Sequence, residues 1–246
     1  MLQRLISGAI WLVTGLVVIL WLPWLALVFL VTAPFDPGRY VVGRWFRRAA
    51  MACVALNPLW HFRTSGVRIR DPRRPYVAVS NHESYADIFL ISHLPWEMKW
   101  LAKAELFRLP VMGWMMRMAG DIPVRREARS SRVEALEGCR DRLKKGVSVM
   151  IFPEGTRSKT GDLLPFKDGA FRVAVEAQVP VLPLVVWGTR HAMRKGSFLF
   201  NRARAEVRAL EPVPTEGLTL RDVPALRDRV RQLIIDERSK MRDQEP

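Results

Sequence analysis

Between Leu5 and Phe35 the chain carries no charged side chain: LISGAIWLVTGLVVILWLPWLALVFLVTAPF. These 31 residues exceed the roughly 20 that one helical membrane span needs. The stretch is also longer than a signal-peptide apolar region, and no small-x-small cleavage site follows it. The reading is a retained membrane anchor. Pro23 lies near its middle, where a proline kinks or breaks a helix. Two shapes are open: one tilted span, or two half-helices forming a re-entrant hairpin.

The rest of the chain differs in kind. Arg39, Arg44, Arg47, Arg48, Arg63, Arg68, Arg70, Arg73 and Arg74 follow the apolar stretch, against only Asp36 and Asp71. The positive-inside bias puts this flank in the cytoplasm. Trp11, Trp21, Trp24, Trp45 and Trp60 fall within the first sixty residues, and tryptophan favours the membrane interface. Residues 40–60 read as an amphipathic helix with arginine on one side, suited to lying on anionic lipid. The division is therefore an anchoring helical segment over residues 1–60 and a basic domain over 61–246.

The domain alternates short apolar runs with helical patterns. Strands are expected at Val67–Arg70, Tyr76–Ser80, Met98–Ala102, Ile122–Arg125, Val147–Phe152, Val181–Trp187 and Glu206–Leu210. Helices are expected at Glu83–His93, Val111–Ala119, Ser130–Lys145, Gly169–Gln178 and Leu220–Met241. Continuous apolar runs such as VSVMIF and VLPLVV suit a sheet buried on both faces. The alternation predicts an α/β domain with a mostly parallel or mixed sheet flanked by helices, preceded by membrane-embedded helices. Cys53 and Cys139 stand far apart and form neither a disulfide framework nor a zinc spacing, so no metal is expected.

Only His82, of four histidines, directly follows a buried-looking strand, in VAVSNHESYADIF. In open α/β sheets that is where ligands bind. Ser80 and Glu83 form a capping-box pattern, which would place His82 in the first turn of a helix and its imidazole within reach of Asp87. A carboxylate beside a histidine fixes its tautomer and stabilises the imidazolium, which makes a general base. A histidine and aspartate at this spacing also serve as a simple capping pair. After the strand VSVMI comes FPEGTRS, a glycine turn with hydroxyls and Arg157, whose planar fork suits phosphate. A polar loop with an exposed arginine is the plainer reading. Lys103, Arg125 and Arg126 follow other short strands and also fit a solvated basic face. No G-x-S-x-G, H-E-x-x-H or G-x-G-x-x-G occurs, so serine-elbow hydrolysis, zinc peptidase chemistry and dinucleotide chemistry lose support.

In combination these segments resemble the glycerolipid acyltransferase family, specifically bacterial 1-acyl-glycerol-3-phosphate acyltransferases, over about residues 60–215. NHESYAD matches N-H-x-x-x-x-D, FPEGTRS the third motif and VPVLPLVV the fourth. GDIPVRR fits the second only partly: Pro123 and Val124 stand where an aromatic and an isoleucine are usual, and Arg126 takes the motif arginine. LAKAELFRLPVMGW resembles a common family stretch, with Lys103 kept. The resemblance implies catalysis by His82 and Asp87 and acceptor binding by Glu154, Gly155, Thr156 and Arg157, with Lys103 and Arg126 as further phosphate ligands.

It also implies acyl transfer from acyl-CoA or acyl-carrier protein to lysophosphatidic acid, giving phosphatidic acid, with no cofactor. Another acceptor, such as glycerol-3-phosphate, another lysophospholipid or a lyso-aminolipid, is the alternative within the family. The expected setting is the inner membrane, with the catalytic domain on its cytoplasmic face and membrane lipids as partners. The net charge of +15 admits a rival, a non-catalytic tethered protein binding nucleic acid or anionic lipid. That rival needs neither His82 nor Asp87, so nucleic acid is not an expected partner.

Overall fold

A computed structural model describes residues 1–158 and 161–243. The apolar stretch forms one continuous helix, α1 (Leu2–Thr32), with Pro23 inside it. Of the two shapes open to the sequence, the hairpin does not form. Proline removes one backbone donor, and the turns on either side keep the helix going. By length and composition α1 could cross a membrane, and very little of its apolar window is buried. One stripe nevertheless packs on the remainder of the chain, through Ile10 near its start and Leu25 and Val28 near its end.

Helix α2 (Tyr40–Ala55) lies beside α1. Its arginines do not form the lipid-facing side expected from the sequence. Arg44 donates to the carbonyls of Leu94 and Trp96, and Arg47 is buried. Arg48 alone of these three is exposed, with its guanidinium over Trp45. The inward turn has a cause in the facing edge of the sheet, formed by β3 (Met98–Lys103) and β4 (Ile122–Val124). Lys99 in β3, Glu97 just before it and Asp121 just before β4 are buried, and a buried charge needs a partner. Arg47 pairs with Asp121 and Glu97. Lys99 donates to Glu97 at 3.0 Å and to the Arg39 carbonyl at 2.6 Å. A Cβ on Gly43 would lie 2.1 Å from a Glu97 oxygen, so glycine permits this approach.

The domain is a seven-stranded sheet in the order β1-β7-β6-β2-β5-β3-β4. Its strands are β1 (Trp60–Gly66), β2 (Val77–Ser80), β3 (Met98–Lys103), β4 (Ile122–Val124), β5 (Ser148–Ile151), β6 (Val181–Trp187) and β7 (Ala203–Ala209). Strands β2 to β6 run parallel to one another, and β7 pairs antiparallel with β6 and parallel with β1. The helices are α3 (Ala86–Ile91), α4 (Met112–Ala119), α5 (Arg129–Lys144), α6 (Gly169–Ala177), α7 (Thr189–Ala192) and α8 (Val223–Asp243), and a 3-10 turn covers Ala104–Arg108.

Alternation along the strands fills two cores. Val77, Val79, Val149 and Ile151 point to the α5, α6 and α8 side, whereas Ala78 and Met150 point to the α3 side. The strand expected at Val67–Arg70 lies instead at Trp60–Gly66, with Val67 adding one bond to the Ala209 carbonyl. WHFRTSG escapes an apolar-run search because it is an edge strand with most of its side chains exposed, where packing makes little demand on residue type. Gly66 ends it at a φ of 90°, where a Cβ would meet the Ala209 carbonyl at 2.0 Å.

Candidate active site

The expected helix start at Ser80–Glu83 does not form. Ser80 Oγ donates to the Asn81 carbonyl, and α3 begins only at Ala86. Residues 81–85 form a loop that leaves the C-terminal end of β2 at the centre of the sheet. Asn81 pins the loop to β6, donating to the Val186 carbonyl and accepting from its N–H, both at 2.8 Å. Asp87, in the first turn of α3, works as a reversed cap. Its Oδ2 accepts the backbone N–H groups of Glu83 at 2.8 Å and Ser84 at 3.0 Å. The same oxygen lies 2.7 Å from His82 Nδ1, and Thr189 Oγ1 donates to Oδ1. An oxygen already holding two N–H donors acts as an acceptor toward the ring, which places the imidazole proton on Nδ1 and leaves Nε2 free to accept one.

The imidazole stacks on Phe152 with centroids 3.9 Å apart, and its side chain is 11% exposed, enough for one edge to meet a substrate. Phe152 opens the FPEGTRS loop after β5, so the second sequence segment lies against the first. The join is polar as well. Glu154 Oε1 accepts the His82 N–H at 2.7 Å and Oε2 the Leu164 N–H at 2.9 Å, while the Ser158 N–H donates to the His82 carbonyl at 3.0 Å. Glu154 thus braces the loop from within and is buried. Gly155 takes a φ of 71°, and a Cβ there would lie 2.9 Å from Lys167 Nζ. Thr156 is exposed. Arg157 stacks over the Tyr85 ring at 3.7 Å, a contact that holds the guanidinium plane.

Arg126 lines a cavity of about 290 Å³ beside this loop, with Arg132 and Lys167 as further cations and Leu101, Val124, Ile151 and Phe152 among its apolar walls. Lys103 is exposed at the end of β3, and its side chain makes no hydrogen bond or ion pair among the described residues. A larger concavity of about 1330 Å³ lies along β1 and β7 and contains His61, His93 and His191 but neither His82 nor Asp87. No cluster of three or more metal-type ligands occurs among the described residues.

Several site residues were missed from sequence: Asn81, Tyr85, Thr189, Lys167 and Lys195. Lys195 donates to the Arg157 carbonyl at 2.6 Å. Asn81 and Tyr85 stand inside the NHESYAD segment and could have been weighed there. Thr189 at the start of α7 and Lys195 in the loop after it are brought in by tertiary structure, and Lys167 by the return of the chain after FPEGTRS.

Two carboxyls beside the dyad have raised pKa values. Burial pushes Glu83 up to about 7 against the pull of Arg238, and pushes Glu154 up to about 7 against two backbone donors. From the ordinary value of 4.5 up to about 7, the folded chain therefore binds more protons than the unfolded one. Stability from this source is full below that window and lost as pH rises through it. Thermal unfolding in detergent is expected to show the wild type losing stability relative to Glu154→Gln between pH 5 and 8. A difference that stays constant, or moves the other way, would contradict the burial argument.

The acyltransferase family model matches residues 61–187, just over half of the chain. The chain belongs to the acyltransferase family. It is 42% identical over 166 residues to human 1-acyl-sn-glycerol-3-phosphate acyltransferase alpha, covering 67% of this chain and 59% of that protein. It is 41% identical over 147 residues to a chloroplastic 1-acyl-sn-glycerol-3-phosphate acyltransferase of Brassica napus, covering 59% and 43%. The chain thus spans about half the length of these curated relatives. The solved 1-acyl-sn-glycerophosphate acyltransferase PlsC of Thermotoga maritima superposes with a TM-score of 0.80 over 99% of this chain and 98% of that one, at 23% identity. That likeness shows the fold, including its N-terminal helices. Both sides of the dyad loop, NHESYAD and FPEGTRS, fall inside the family match, whereas Thr189, Lys195 and Arg238 fall outside it.

Proposed function

We propose that this acyltransferase moves a fatty acyl group from a thioester donor, acyl-CoA or acyl-carrier protein, to the free hydroxyl of 1-acyl-glycerol-3-phosphate, forming phosphatidic acid. The observation that carries the reading is the His82 Nδ1–Asp87 Oδ2 contact of 2.7 Å at a parallel strand end, bordered by the Arg157 loop. His82 Nε2 takes the proton of the acceptor hydroxyl as that oxygen attacks the thioester carbon. The new C–O bond forms, the C–S bond breaks, and the imidazolium returns the proton to the departing sulfur. Asp87 holds the ring and stabilises its charged form. Direct transfer fits a site in which the dyad holds no serine or cysteine nucleophile.

Arg157, held on Tyr85, and the cavity cations Arg126, Arg132 and Lys167 suit a phosphate, and the cavity's apolar walls suit a lipid chain. Lys103, exposed at the strand end, serves the phosphate at longer range. The apolar α1 supports work at a membrane, where the acceptor lies. The arginine-rich flank after α1 supports an inner-membrane location with the domain on the cytoplasmic face.

The phosphate assignment is tested by Arg157→Lys. A guanidinium makes two parallel bonds to phosphate oxygens, and an ammonium cannot reproduce that fork. Losing one charge-assisted bond is expected to cost about 1.5–3 kcal/mol, roughly 10- to 150-fold in kcat/KM for lysophosphatidic acid. An acceptor without the phosphate should be used almost as before. Equal fractional losses on both acceptors would remove Arg157 from the phosphate site.

A further inference from the structure

Glu83 is a buried carboxyl in the loop between His82 and Asp87, and the side chain that pairs with it comes from the far end of the chain. Arg238, on α8, donates through Nε at 3.0 Å and Nη2 at 2.8 Å to Glu83 Oε1. Nη2 also donates to the Gly161 carbonyl, and the guanidinium lies 5.0 Å over the Trp187 ring at the end of β6. Helix α8 packs on β6, so the arginine reaches the catalytic loop from a fixed platform. Both sides of this pair are largely withdrawn from solvent, at 20% and 5% side-chain exposure.

The consequence for chemistry runs through the backbone. Glu83 directly follows His82, and its N–H is one of the two that hold Asp87 Oδ2. Asp87 and Glu154 lie near the Glu83 carboxyl and repel it. Without Arg238, that carboxyl faces two like charges with no counter-ion, and like charges at short range in a buried site are costly. With its pKa already raised to about 7, it takes up a proton and loses its tie to α8, which leaves the Glu83 N–H that holds Asp87 without a fixed place and loosens the His82 ring. Arg238 also holds the Gly161 carbonyl, in the loop after FPEGTRS, so one guanidinium ties together the loops that carry His82 and Arg157.

We propose that Arg238 is a positioning residue for acyl transfer, acting through Glu83 to hold the Asp87–His82 pair, although it lies outside residues 61–187, which the family model matches. The proposal rests on the dyad reading above. Arg238→Ala should lower kcat roughly 10- to 100-fold while KM for lysophosphatidic acid and for the donor stays within about twofold, the pattern of a lost transition-state contribution. Millimolar guanidinium should restore part of kcat in that variant and none in His82→Ala. Nitrogen-15 spectra of labelled imidazoles, with the His82 signal identified by its loss in His82→Ala, should show one Nδ1-protonated form in the wild type and a mixture in Arg238→Ala.

If the alanine variant does not fold, Arg238→Gln, which keeps a donor for Gly161, should still lose kcat and show the mixed imidazole form. A kcat within twofold of wild type, or an unchanged His82 spectrum in the folded variant, would overturn the proposal. The spectrum requires no substrate. An inactive wild type would count against the acyltransferase reading, whereas an undisturbed imidazole would count against the role of Arg238.

Discussion

His82→Ala should abolish acyl transfer while the chain stays folded. The ring is buried, stacked on Phe152 and bound at Nδ1, and its Nε2 has no hydrogen-bond partner among the described residues. Removal of a general base costs on the order of 10²–10⁴ in rate, and the stacked contact it forfeits should lower stability by only about 1–3 kcal/mol. Asp87→Asn gives the companion result. The amide offers an N–H where the ring needs an acceptor, so the tautomer reverses, and a loss of ~10³–10⁴ in kcat is expected with acceptor KM nearly unchanged. Near-normal turnover in His82→Ala would sink the histidine-base mechanism.

Asp121→Leu should be the most damaging single change to stability. Asp121 carries the Arg47 guanidinium and accepts the Trp100 N–H at 2.9 Å, and both it and Arg47 are buried. A guanidinium cannot shed its proton in a protein, so Arg47 would remain charged with only Glu97 nearby at 3.6 Å. Breaking such a pair costs about 3–5 kcal/mol, on the order of 10 °C in Tm for a chain this long. Lys99→Met in the same cluster should cost less. Burial already raises the pKa of Glu97 and lowers that of Lys99, so Glu97 can take up a proton when its partner goes. The double variant Arg47→Met/Asp121→Leu should recover much of the loss, because no unpaired charge stays behind. Thermal unfolding in detergent measures all three. An Asp121→Leu chain as stable as Lys99→Met would mean that the α2 junction does not depend on this pair.

The parallel core was legible because burial on both faces writes itself into composition. VAVS, SVMI and VLPLVVW are continuous apolar runs, and the strands formed on them within a residue or two. The edge strand WHFRTSG was not legible, since one partner and solvent place few demands on its side chains. Arginine on α2 has the pattern of a lipid-facing side, because its counter-charges, Glu97 and Asp121, lie some 50 and 74 residues away. In the site, His82, Asp87 and the FPEGTRS loop could be named from local pattern. The capping box at Ser80 was the local signal that misled: Glu83 forms an ion pair with Arg238 and Asp87 caps backwards onto the loop, so tertiary partners displaced the short-range one. Thr189, Lys195 and Arg238 reach the loops only through the fold, and no spacing rule connects them to His82.

The central claim is tested most directly by the lipid product itself. The purified chain in detergent is given 1-acyl-glycerol-3-phosphate with acyl-CoA, and in a parallel reaction with acyl-carrier protein. Lipid mass spectrometry and thiol release are followed together. The expected result is a phosphate-bearing lipid heavier by one acyl group, one free thiol per lipid formed, and neither signal in His82→Ala. Release of free fatty acid with the lysolipid unchanged, or acylation of other acceptors while lysophosphatidic acid is refused, would contradict the account.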